Sequence, residues 1–131
     1  EIITTSKEMI DRIKNNVYDF VQPDASVIGG ISAVMDIFAA ANPLGTSVVV
    51  HAWGGAAAIM ANYHAAFAAG GLLVEYPMFS FPLGTEMMAD QRKILNGKLS
   101  RPGASGLGIS LSSDIENRYP FDPVLFILVL L

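Results

Sequence analysis

The chain contains no cysteine, two histidines and one tryptophan. Without cysteine there is neither a disulfide nor a thiolate metal site, and nothing calls for an oxidising compartment, so the cytoplasm is the default expectation. Charge is also sparse, at 15% of residues. The basic residues (Lys7, Arg12, Lys14, Arg92, Lys93, Lys98, Arg101, Arg118) are scattered among twelve acids, and the formal net charge is −4. No basic stripe forms, so nucleic acid is not an expected partner. No uninterrupted apolar run reaches the roughly 18–20 residues that span a bilayer, and the first residues lack the basic-then-apolar pattern of a signal peptide. A membrane is therefore not an expected partner either.

Apolar residues are plentiful. At 52% of 131 residues they suffice for one domain with a buried core. The end of the chain, "VLFILVLL" over residues 124–131, carries eight apolar residues and no charge. It reads as a buried strand, an interface strand or a sequence artefact, since an exposed apolar strand invites aggregation.

Thr5-Ser6-Lys7-Glu8 has the spacing of a capping box and predicts a helix running to about Asn15, with Met9, Ile10 and Ile13 on one face. "YDFVQPD" then reads as a short strand ended by Pro23, which leaves Asp24 at its C-terminal tip. "ASVIGG" is a turn and "ISAVMDIFAAAN" a second helix, stopped by Pro43 and Gly45. "TSVVVHA" is nearly continuous in β-branched residues, the pattern of a strand buried on both faces of a parallel sheet, with His51 at its tip. An alanine-rich third helix spans the glycine pairs 54–55 and 70–71, and "LLVEYP" is a further extended segment carrying Glu75. Strand and helix alternating with short connections predict an α/β fold of right-handed βα units. After Pro77 the chain is rich in loops, with turns at "NG" and "PGASGLG", and reads as a segment wrapped over the preceding units.

In parallel α/β folds, chemistry gathers at the C-terminal tips of the strands. Asp24 and His51 occupy successive tips, so they are expected side by side. A carboxylate there accepts from one imidazole nitrogen, fixes the tautomer and leaves the other nitrogen as a general base. Plainer roles stand beside this one. His51 alone suits a turn histidine bonded to backbone, and Asp24 alone suits an N-cap. His64, between Tyr63 and Phe67, reads as a packing residue, and Trp53 either lines the pocket or fills a barrel mouth. "GASGLG" lacks the lysine and the strand-to-helix setting of a phosphate loop, so that reading is rejected.

Asp24 followed by "ASVIGGISAVMDIFAAA", His51 in "VVVHAWGG", Glu75 in "LVEYP" and the stretch "NGKLSRPGASGLGISL" together resemble the C-terminal barrel part of the enolase superfamily, mandelate racemase branch, over residues 1 to about 119. The resemblance implies the last three βα units of a TIM-type (β/α) barrel plus a wrapped C-terminal segment. Residues 1–131 would then be a C-terminal fragment of the catalytic barrel, without the capping domain and first barrel units. It implies Glu1 as a ligand of Mg²⁺, Asp24 as the partner of a His-Asp dyad, His51 as the base that removes the proton α to a carboxylate, and Glu75 as the acid that hydrogen-bonds a substrate carboxylate oxygen. The implied substrate is a small hydroxy-carboxylate, and the implied reaction is dehydration of an acid sugar to a 2-keto acid. Racemisation or epimerisation of a 2-hydroxy acid and a non-catalytic structural fragment are the alternatives. The remaining metal ligands and an opposing lysine would lie before Glu1, so the isolated fragment is expected to be inactive, and the complete protein is expected to be a homo-oligomer.

Overall fold

A computed structural model describes residues 3–79, 81–88 and 92–122. The apolar run at 124–131 lies outside the described residues, as does Glu1. The first helix, α1 (Ser6–Lys14), starts as its sequence predicts: the Thr5 hydroxyl accepts the Glu8 N–H at 3.3 Å. The Glu8 carboxylate turns instead to Arg12 one turn on, at 2.6 Å. Met9 and Ile13 are buried where α1 packs on the helix α3 (Ile31–Ala41).

Strands β1 (Phe20–Val21) and β2 (Ser47–Val48) pair in parallel, with Phe20 opposite Ser47 and Val21 opposite Val48. Their hydrogen bonds run beyond the regular strands, from Ser47 N–H to Asp19 O, from Val49 N–H to Val21 O and from His51 N–H to Pro23 O. A third extended segment continues the sheet, since Val50 bridges Val74 in parallel and Glu75 N–H donates to Val50 O. The predicted rhythm of βα units is therefore present, in order β1, β2, residues 72–75.

The segment expected as a plain turn after Asp24 contains a one-turn helix, α2 (Ala25–Ile28), because Asp24 caps it and Gly29 ends it at φ +114°. Helix α3 stops at a 3₁₀ turn, Asn42–Leu44, held by Pro43 and by Gly45 at φ +71°. The strand expected to be buried on both faces is buried on one: Val48, Val50 and Ala52 face the core under α3 and α4 (Ala56–Ala68), while Val49 is half-buried and Ser47 exposed. The helices cover only one face of the described sheet.

After Pro77 four short elements appear that the loop reading did not foresee. Helix α5 (Pro82–Met88) packs on α4, and β3 (Ile94–Leu95) pairs antiparallel with β4 (Lys98–Leu99) across the predicted Asn96-Gly97 turn. Both turn residues have positive φ, +51° and +72°, as a two-residue hairpin turn requires. Helix α6 (Ser113–Arg118) follows. Among the described residues no helix is long and apolar enough to cross a membrane.

Candidate active site

The parallel ladder does the positioning. Because His51 N–H bonds to Pro23 O and Glu75 N–H to Val50 O, the tips of three neighbouring strands carry Asp24, His51 and Glu75 in that order. His51 Nδ1 lies 2.9 Å from Asp24 Oδ2, and its Nε2 faces Glu75 Oε2 at 3.9 Å. The imidazole therefore stands between two carboxylates, one bonded and one within reach of a bridging atom. Both dyad side chains are shielded, with His51 17% and Asp24 10% exposed, whereas Glu75 is 37% exposed. Glu75 Oε2 accepts the N–H of Ala52 at 3.0 Å, and the Tyr63 hydroxyl donates to Glu75 O at 3.0 Å, so the acid is held from both its side chain and its backbone.

Asp24 both caps α2 and contacts His51. Its Oδ2 faces His51, while its Oδ1 accepts from Ser26 N–H, Ser26 Oγ and Asn62 Nδ2, each at 2.8 Å. Burial pushes the Asp24 carboxyl up, but the hydrogen bonds from His51, Asn62 and Ser26 outweigh it and hold the carboxyl below its ordinary value. An ionised Asp24 is acceptor-only, so the proton between it and His51 sits on Nδ1 and the lone pair of the neutral ring on Nε2.

Asn62 was not singled out by the sequence. It is fully buried on the inner face of α4, and the only signal for it was a single amide among the apolar residues of "AAAIMANYHAAFA". Gln22, Ile3 and Val27 join Asp24 and His51 in lining a cavity of about 170 Å³ at the strand tips. Two larger cavities, about 230 and 280 Å³, flank Gly71–Leu73 and have no carboxylate or imidazole in their walls. The smaller one alone of the three has both a carboxylate and an imidazole in its wall. Trp53 stands beside the tip of β2, 46% exposed, edge-on to Phe79 and Phe81 at 5.7 and 5.3 Å between ring centroids. His64 lies within α4 and is half-buried.

Residues 1–115 match the family model described as Enolase C-terminal domain-like. The chain belongs to this enolase C-terminal family. Its fold is the corresponding part of an α/β barrel. Two curated relatives are each 27% identical: an arabinonate dehydratase of Saccharolobus solfataricus, over 91% of this chain and 32% of the relative, and an L-rhamnonate dehydratase of Saccharopolyspora erythraea, over 79% and 27%. The crystal structure of a mandelate racemase/muconate lactonizing enzyme from Jannaschia sp. CCS1 superposes with a TM-score of 0.76 at 25% identity, over 93% of this chain and 31% of that one. This enolase C-terminal chain thus spans about a third of the length of the proteins it matches.

Proposed function

We propose that the tips of β1, β2 and residues 72–75 supply the acid/base side of an enzyme that abstracts the proton α to the carboxylate of an acid sugar and dehydrates it to a 2-keto acid. The observation that carries this reading is the 2.9 Å contact of His51 Nδ1 with Asp24 Oδ2, which leaves Nε2 on the side of Glu75. His51 Nε2 takes the α-proton, and the electron pair moves into the substrate carboxylate to form an enediolate. Glu75, held beside the ring by Ala52 N–H, is the acid that hydrogen-bonds the carboxylate oxygen on which charge develops. The imidazolium then returns its proton to the departing β-hydroxyl. Water leaves, and the resulting enol becomes the 2-keto acid. The dehydratase names of both curated relatives support this outcome.

The family resemblance adds Mg²⁺, with Glu1 as one ligand; when bound it would stabilise the enediolate charge as a hard cation. Among the described residues no group of three or more His, Asp or Glu side chains converges to hold an ion, so those residues alone do not fit it and no step is assigned to it.

Incubating the protein, expressed from its complete reading frame, with a panel of acid sugars in D₂O tests the reading. The expected product is a 2-keto acid, and His51→Asn should cut its formation by about 10²–10⁴-fold, the usual worth of a positioned acid/base. Recovery of both stereoisomers with deuterium at the α-carbon would make the protein a racemase instead. No exchange and no product would leave the non-catalytic reading.

A further inference from the structure

We infer that Asn62 is a positioning residue that locks the Asp24 carboxylate, and through it the tautomer and orientation of His51. Three hydrogen bonds carry this inference. Asn62 Nδ2 donates to Asp24 Oδ1 at 2.8 Å and to Ala58 O at 3.1 Å, and Asn62 Oδ1 accepts the N–H of Ala25 at 2.8 Å. The amide can sit only this way round. A carboxylate and a carbonyl cannot donate and a backbone N–H cannot accept, so a flipped amide would lose all three bonds.

The side chain is fully buried, and its partners at the start of α2, Ala25 and the N-cap Asp24, lie 37 and 38 positions earlier in the chain. An amide in that position is expensive unless every group is paired, as here. What it adds is direction. Oδ1 of Asp24 is occupied from two sides, by Ser26 and by Asn62, so the carboxylate plane cannot rotate and Oδ2 stays on Nδ1 of His51. Asn62 does not line the mouth cavity, and the member of the dyad to which it bonds is Asp24, so it acts through Asp24.

The inference rests on the reading of His51 as the base, and two variants test it in the protein expressed from its complete reading frame. Asn62→Asp keeps the acceptor for Ala25 N–H but can donate to Asp24 only while the carboxyl pair shares a proton. Asn62→Leu removes both functions at similar volume. Asn62→Asp is expected to lower kcat about 10–100-fold with little change in KM, the usual cost of losing a residue that orients a reacting group. Its activity should fall further as pH rises and the shared proton is lost, a limb absent from the parent protein. ¹⁵N NMR of His51 gives a second readout that needs no substrate: one tautomer, protonated at Nδ1, in the parent, and a mixture in either variant. A residue that only caps α2 would leave Asn62→Asp with the parent pH profile and a single His51 tautomer, and that result overturns the inference. A mixed tautomer in a protein that dehydrates no acid sugar would uphold Asn62 as the positioning residue and reject the proposed reaction. Whichever variant folds by circular dichroism carries the NMR test.

Discussion

Tyr63 links the core to the site. Its ring is fully buried in α4, and its hydroxyl donates to the carbonyl of Glu75, the last of the three strand-tip residues. Burial pushes its pKa up to about 12, with nearby Arg92 pulling the other way. A phenol that is harder to ionise folded than unfolded stabilises the fold fully below about pH 10, and that contribution is lost as the pH climbs from there through the folded value. Urea midpoints should therefore drop between about pH 10 and 12 in the parent protein. Tyr63→Phe should flatten that limb and lower stability by about 1–3 kcal/mol at neutral pH, because the Glu75 carbonyl loses its donor. A midpoint unchanged by the substitution at neutral pH would contradict the role given to this bond. Asp24 and His51 were legible as polar residues at the ends of apolar strands, and Glu75 through the family resemblance of its "LVEYP" stretch. Asn62 was not, because its value lies in which way one face of an alanine-rich helix is turned.

At the level of elements, the first half of the chain follows its local signals and the second half departs from its loop reading for reasons also written locally. Pro82 occupies the first position of α5, where its missing N–H costs nothing. Ser112 caps α6 by accepting Ile115 N–H, with Asp114 and Glu116 in the first turn and Arg118 in the last. These signals are real but short, and helices of six or seven residues are marginal without tertiary support. The support for α6 comes from α5. Arg118 donates to both oxygens of Glu86, through Nη1 at 2.8 Å and through Nη2, and Tyr119 adds its hydroxyl at 3.2 Å. The clasp is solvent-exposed, so it orders α6 more than it stabilises the whole. Arg118→Ala should accelerate amide hydrogen exchange at residues 115–119 while leaving the thermal midpoint of the protein in place. A fall of the whole transition would show instead that α6 belongs to the main cooperative unit.

Across the whole molecule the apolar surface is uneven. Leu72 is 96% exposed and Leu73 59%, beside the two cavities around Gly71, and Phe20 on β1 is 59% exposed. Among the described residues β1 pairs only with β2, which leaves its other edge unpaired. An open strand edge and exposed apolar side chains each favour association. The 131-residue chain expressed alone should elute above its monomer mass in light scattering, and Leu72→Lys with Leu73→Lys should shift it toward monomer. A monomer at all concentrations would mean that these faces tolerate water. The order of the βα units, the placing of a carboxylate and an imidazole at consecutive strand ends, and the Asn96-Gly97 turn were already written in the chain, because each depends on neighbours within a few residues. Contacts spanning 37 and 38 positions were not: the division of the Asp24 oxygens between His51 and Asn62, and the coverage of only one sheet face, depend on how α4 rotates and seats against α2 and α3. Close packing of small alanines sets that rotation, and local periodicity does not encode it.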